Sequence, residues 1–442
     1  MPLSRFFGRG RAAAEPPPAE VEPAEVPETA DDSSIADEES LAESTAERSW
    51  RERAERVLPT GASTGSKRGA ALWGDETDAG PTHFVSARAA HVVDTEGKRY
   101  LDCTMALGAV ALGYGEPRVT RAVIDAVSEG SVSALSSWRE VELAERLCAM
   151  IPCAERVQLL KSGAEAVSAA VRIARTYTAR ERVVVSGYFG WHDWSSTAEG
   201  VPGGARHDVV HVPFDDVAAL ERAVGDAGAR LAAVVLEPIV ERNPSDAWLR
   251  RARELCDSNG AVLVFDEIKT GFRVAPAGYQ EASGVTPDLA TFGKAMANGY
   301  PLSAVVGQAD VMNAARRTWI SSTLASESTA LAAALAVLDW HEEADICASL
   351  AETGRELRSA VDRAIEASGV EGVSTAGVDT MFLLRWDRPA RESRFLREAA
   401  DAGVIFKRGA YNFAAIAHDA EAVRLVEAAA SGALVALAES ES

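Results

Sequence analysis

The chain is short of the features that mark several large protein classes. Its 442 residues include only five cysteines, Cys103, Cys148, Cys153, Cys256 and Cys347, scattered and without paired metal-ligand spacing. That pattern argues against a disulfide framework and a zinc site, and it suits a reducing cytoplasm. Apolar runs such as Leu231–Leu236 and Ala261–Phe265 are strand-sized and far short of a bilayer's thickness, so no membrane span is expected. Positive charge is scarce. The formal net charge is -21, and between Ala12 and Glu47 twelve Asp and Glu stand with no Lys or Arg. A broad basic face for nucleic acid is thereby excluded.

What is present fits a globular protein of the cytoplasm: 47% apolar residues, 25% charged, and a length beyond one ordinary core. Residues 1–45 are rich in Ala, Pro, Glu and Ser and cannot bury enough surface to offset their ordering entropy. They are expected to be a disordered acidic extension. Its head, Met1 to Arg11, is basic and aromatic, and reads either as a docking motif for a protein partner or as an inert tail. It has neither the apolar core of a secretory signal nor the flanks of a transit peptide.

From about Glu47 the pattern is that of a folded chain. Helical spacing runs over Val119–Val127 and Val141–Met150. Apolar strands then alternate with helices: Val157–Leu160, a helix from Ala164 to Tyr177, Val183–Ser186, Leu231–Leu236, a helix around Trp248–Asn259, and Ala261–Phe265. Strands apolar on both faces and separated by helices predict an α/β fold, a mostly parallel sheet covered on both sides. The expected division is residues 46–115 packing with a small domain, 116–335 as the large domain, and 336–442 as a smaller α+β domain.

Three segments carry chemistry. In Ala261-Val-Leu-Val-Phe-Asp266-Glu267-Ile268 a buried strand leaves Asp266 at its carboxyl end, where ligands of open α/β sheets bind. An acid there is costly unless a cation meets it, and a pyridinium nitrogen would do so. Lys294, in Thr291-Phe-Gly-Lys294-Ala-Met-Ala-Asn-Gly299, is the residue type that forms an imine with an aldehyde cofactor. Second, Ser162, Gly163 and Ala164 open a helix after a strand and would offer backbone N–H groups to a phosphate. An ordinary N-cap is the competing reading. Third, Gly187-Tyr188-Phe-Gly-Trp-His192-Asp193-Trp194 follows a strand and reads either as a wall for a flat heterocycle or as aromatic core.

Together these residues resemble the class III aminotransferases, and most nearly the branch containing glutamate-1-semialdehyde 2,1-aminomutase. The resemblance runs from about Leu58 to Leu434. It rests on Leu58-Pro-Thr-Gly-Ala-Ser, the hairpin-like Asp94–Asp102, Ser162–Ala166, Phe265–Arg273 with Lys294, and Ala415–Asp419. It implies the fold type I architecture of pyridoxal-phosphate transferases, a homodimer with shared active sites, and small-molecule amino donors and carbonyl acceptors. It implies that Lys294 holds pyridoxal 5'-phosphate as a Schiff base and Asp266 pairs with the pyridine nitrogen. Ile268 packs on one ring face and Tyr188 stacks on the other. Gly163 and Ala164, with Ser162, take the phosphate, and Thr323 is the phosphate-binding threonine donated across a dimer interface. Glu237 and Pro238 look like the family's pocket-shaping Glu-Pro turn.

Three departures stand out. The family's Tyr-His-Gly reads Tyr188-Phe189-Gly190, so a histidine contact is lost or moved to His192. The contact to the cofactor's ring oxygen lies open between Arg242 and Asn243. Arg408–Ala414 lacks the acid that semialdehyde aminomutases carry there. The expected function is ping-pong amino transfer through Lys294. Its rivals are a 2,1-aminomutase and an inactive scaffold recruited through its tail. Lys67 and Arg68 fall where the aminomutase branch places a carboxylate-binding residue.

Overall fold

The computed structural model describes residues 49–74 and 80–441. The acidic extension and its basic-aromatic head lie outside the described residues. Among those described, fourteen strands form three sheets. In the first, β1 (Phe84–Arg88), β2 (His91–Asp94) and β3 (Arg99–Asp102) form an antiparallel meander, and the short β13 (Val404–Ile405) joins β3 in parallel. The segment Asp94–Asp102 that suggested a hairpin holds its turn and second strand, while the first strand starts earlier, at His91. Two buried carboxylates pin the hairpin: Asp94 accepts from the Tyr100 hydroxyl at 3.0 Å, and Asp102 from the Tyr114 hydroxyl at 2.6 Å.

The central sheet has seven strands. These are β4 (Arg156–Leu160), β5 (Arg182–Ser186), β6 (Val209–His211), β7 (Leu231–Leu236), β8 (Val262–Asp266), β9 (Leu289–Phe292) and β10 (Ser303–Gly307). Their order is β4-β10-β9-β8-β7-β5-β6, with only β10 running against its neighbours. Every residue of β7 and β8 is buried, which is why these strands lack alternation: helices cover both faces. Helices Asp246–Asn259 and Val217–Ala227 pack on one face, around Trp248 and Leu220. Helix Gly163–Thr178 covers the other with seven buried residues. At roughly 1.5–3 kcal/mol per fully buried aliphatic side chain, these two clusters supply much of the drive that fixes the sheet's carboxyl edge.

The third sheet, β11 (Val373–Val378), β12 (Met381–Trp386) and β14 (Asn412–Phe413), packs with helices Ile346–Ser368, Pro389–Asp401 and Ala420–Glu441. Arg273, fully buried, ties this part to the central sheet. Its guanidinium donates to the carbonyls of Gly108 at 3.0 Å and Ala414 at 2.9 Å. His418 accepts the Ala415 N–H on Nδ1 at 3.0 Å, so its Nε2 carries the proton and donates to the Asp102 carbonyl at 3.1 Å. No described helix is long and apolar enough to cross a membrane.

Candidate active site

The carboxyl ends of β4, β5, β7, β8 and β9 lie on one edge of the central sheet, and each leads into a residue expected to do chemistry. Asp266 closes β8 and is 5% exposed. Its Oδ1 accepts the Ile268 N–H and the Thr291 hydroxyl, both at 3.1 Å, while no described donor reaches Oδ2. Burial, reinforced by the nearby Glu237 carboxylate, pushes its pKa up to about 7. The Lys294 ammonium, Thr291 and the Ile268 N–H act in the opposite sense without overcoming the burial.

Lys294 follows β9 through Gly293 and opens a single turn, Lys294–Ala297, with φ at +47°. A non-glycine residue in that region is strained and persists only where its surroundings hold it. Asn298, which closes that turn, is tied to a distant segment. Its side-chain oxygen accepts the N–H groups of Ala111 and Leu112 at 2.9 and 3.0 Å, and its amide donates to the Gly113 carbonyl at 3.0 Å. The Lys294 ammonium itself makes no hydrogen bond or ion pair with a described residue. Burial, then the neighbouring Lys269 ammonium, lowers its pKa to about 8. A sizeable fraction of the amine is therefore neutral, and nucleophilic, close to neutral pH.

Ile268 joins these two residues to the cradle. A Cβ on Gly163 would sit 3.2 Å from its Cγ2, and one on Gly293 would sit 3.1 Å from its Cδ1. One side chain thus lies against both the helix start and the lysine turn. At that helix start Ser162 and Glu165 form a reciprocal capping box, with Ser162 Oγ accepting the Glu165 N–H at 3.3 Å and Glu165 accepting the Ser162 N–H at 2.8 Å. The Ser162 hydroxyl is thereby engaged. The N–H groups of Gly163 and Ala164 are left free at the positive end of the helix.

Tyr188, just past β5, is 75% exposed, and its N–H donates to Glu237 Oε2 at 3.2 Å. Glu237 also pairs with Lys269 at 2.5 Å, and Lys269 lies 4.4 Å from the centre of the Tyr411 ring. Reading the sequence assigned Lys269 no role. The available signal was a lysine three positions after Asp266, in the loop that follows the same buried strand. Thr323 stands apart. It is exposed beside Gly130–Ser137, and no described hydrogen bond joins it to the cradle. Arg242 turns away to Asp215 at 2.5 Å and the Phe214 ring, and His192 bonds to Ser168 rather than reaching towards Lys294.

Residues 75–190 and 193–418 match the family described as Aminotransferase class-III. The 3-aminobutyryl-CoA aminotransferase of Cloacimonas acidaminovorans (strain Evry) is 34% identical over 299 residues, 66% of this chain and 72% of that one. The 2'-deamino-2'-hydroxyneamine transaminase of Streptomyces kanamyceticus is 37% identical over 315 residues, 71% of this chain and 80% of that one. Among solved structures, the PLP internal aldimine form of the FumI protein of Sphingopyxis sp. MTA144 superposes with a TM-score of 0.84 at 27% identity, covering 89% of this chain and 96% of that one. The chain belongs to the class III aminotransferases.

This aminotransferase is a pyridoxal-phosphate enzyme of fold type I, and its residues fit the cofactor. The reserved Oδ2 of Asp266 suits a pyridinium N–H. The unpaired Lys294 amine suits an aldehyde, and the two free N–H groups of Gly163 and Ala164 suit a phosphate. The aminotransferase also has a cavity of about 200 Å³ beside the hairpin, lined by Lys67, Trp73, Tyr100, Asp102, Ala106 and Tyr114 among others. Arg68 is not part of its wall.

Proposed function

We propose that Lys294 is the covalent anchor and proton carrier of an amino transfer in two halves, first from a donor amine to the cofactor and then on to a carbonyl acceptor. Asp266 would hold the ring nitrogen protonated, Gly163 and Ala164 would bind the phosphate through their N–H groups with Ser162 ordering the turn, and Ile268 and Tyr188 would bound the ring faces. Bound pyridoxal phosphate supplies a carbonyl that condenses with amines and a ring that withdraws electrons from the carbon losing its proton. Lys294 Nζ, released by the incoming amine and already low in basicity, takes that proton and returns it. The single observation that carries this reading is a buried, half-satisfied Asp266 at the same sheet edge as a Lys294 at positive φ with no described hydrogen-bond partner, near enough for each charge to act on the other.

The same reading places Thr323 in a second copy's site, giving a homodimer. Its support is the apolar surface around that threonine: Leu135 is 82% exposed, Trp138 61% and Leu324 52%, which is costly surface for a solitary chain. Lys67, in the cavity wall and without a described partner, is the residue proposed to receive a substrate carboxylate. An aminotransferase is favoured over an aminomutase because Arg408–Ala414 sets the Tyr411 hydroxyl, not an acid, 3.4 Å from Lys269.

An absorbance spectrum of the purified protein with a panel of amines tests the reading. The expected result is a visible band in wild type, bleached by one class of amine and absent from Lys294→Ala. A band that persists in Lys294→Ala, or that no amine alters, overturns the assignment. Bleaching followed by product formation without any added carbonyl acceptor would instead favour the mutase.

A further inference from the structure

The segment after β5 is stapled to the same helix that forms the phosphate cradle, through a hydroxyl bonded to two of its side chains. Gly190, with φ at +87°, crosses the first turn of helix Gly163–Thr178 so closely that a Cβ there would stand 2.5 Å from the Ala164 Cβ. One turn further along the same face lies Ser168. Its Oγ is 2.8 Å from Trp194 Nε1 and 2.7 Å from His192 Nδ1. An indole N–H can only donate, so the hydroxyl oxygen accepts from Trp194, while the direction of its bond with His192 Nδ1 follows the imidazole's tautomer. Phe189, buried, stacks on Trp194 with centroids 6.0 Å apart and 30° between planes. Gly187, Tyr188 and Gly190 therefore have a fixed path between Glu237 at one end and Ser168 at the other.

We propose that Ser168 is a positioning residue that holds the 187–194 loop against the phosphate cradle, and so sets how tightly this aminotransferase retains pyridoxal phosphate. The inference rests on Gly163 and Ala164 being the cradle. The loop lies directly over Ala164, so a loop that lifts would open the phosphate end to water and free the Tyr188 wall at the same time. The imidazole of His192 lies against Ser168 of the cradle helix. That imidazole acts on the helix rather than on the ring.

The experiment measures the rate at which holoenzyme loses its cofactor into a trapping excess of a competing aldehyde-binding reagent, together with amide hydrogen exchange over residues 187–194. Wild type is compared with Ser168→Ala, His192→Ala, His192→Asn and Trp194→Phe, the last a fallback should Ser168→Ala not fold. Ser168→Ala is expected to lose cofactor about tenfold faster, with faster exchange in the loop. His192→Asn, whose side-chain amide can accept or donate in place of Nδ1, should stay within about twofold of wild type while His192→Ala does not. An unchanged rate in Ser168→Ala despite faster loop exchange overturns the proposal, as does faster loss with unchanged exchange, or a His192→Asn as leaky as His192→Ala. A parallel arm with pyridoxal separates the two readings. If wild type holds pyridoxal as long as its phosphate, the cradle assignment is wrong. If it prefers the phosphate yet Ser168→Ala behaves as wild type, only the staple is wrong.

Discussion

Two lysines occupy the same edge of the sheet and have been given opposite environments. Lys269, in the loop after β8, is 8% exposed and bonded to Glu237 at 2.5 Å. Burial pushes its pKa down, but the Glu237 carboxylate more than offsets that, so it stays charged. Lys294, after β9, has no acid in contact, and burial and the Lys269 charge lower its pKa to about 8. Burial alone does not make a lysine reactive. What separates the two is whether a carboxylate answers the charge, and here the answered lysine helps to deprotonate the unanswered one.

The largest effect that would break this comparison is Lys294→Ala, expected to lower the transfer rate by about 10³-fold or more, read by single-turnover kinetics. If Lys269 supported turnover in its place, the contrast would fail. Next is Lys269→Met, which leaves the half-buried Glu237 carboxylate without its cation. A loss of about 3–5 kcal/mol in urea unfolding is expected, and Lys269→Met with Glu237→Leu should recover most of it. In the same variant the Lys294 amine, freed from a neighbouring cation, should titrate higher than about 8. The pH dependence of cofactor recapture by apoenzyme should therefore move alkaline.

Asp266→Asn comes third. The folded-state pKa of Asp266 lies near 7, above the ordinary 3.8, so the cofactor-free fold loses stability as pH rises from about 4 to 7 and carries the full cost above that. The variant should gain up to about 4 kcal/mol in cofactor-free unfolding at about pH 8, and nothing below about pH 4, while losing amino transfer. No gain at the higher pH would mean that the carboxylate is answered by something within the protein. The smallest effect is Ser162→Ala, which removes one half of the capping box. It should cost about 1 kcal/mol of cofactor-free stability by thermal melt, and change cofactor affinity little if the cradle is made of N–H groups.

Much of the central sheet was legible because burial on both faces leaves an unmistakable record. Leu231–Leu236 is strand to the residue, and the predicted Ala261–Phe265 is shifted by one to Val262–Asp266. The helix predicted from Ala164 begins at Gly163, directly after the capping residue Ser162. Asp266, Lys294, Ile268 and the Ser162–Ala164 turn were legible for a different reason: each sits at a strand's end, where a change of pattern marks the sheet's edge. The aromatic run 188–194 was ambiguous between pocket wall and core, and the structure divides it. Phe189 is buried, Trp191 is 74% exposed, and His192 and Trp194 are used on Ser168. Local sequence cannot make that division, because Ser168 lies more than twenty residues earlier.

The sequence by itself determined the alternation of buried strands and capped helices, the acid and the lysine at the ends of two of those strands, and membership of the class III aminotransferases. Those are local or ordered patterns, and hydrophobic periodicity and spacing write them directly into the chain. Only the tertiary structure decided which of two lysines keeps its charge, that Asn298 ties the end of the Lys294 turn to Ala111–Gly113, and that Thr323 lies beside Gly130–Ser137 with no described hydrogen bond to its own chain's cradle. Each of these depends on groups far apart in sequence meeting in a medium of low dielectric. There, one carboxylate or one amide at contact distance outweighs anything the neighbouring residues prescribe.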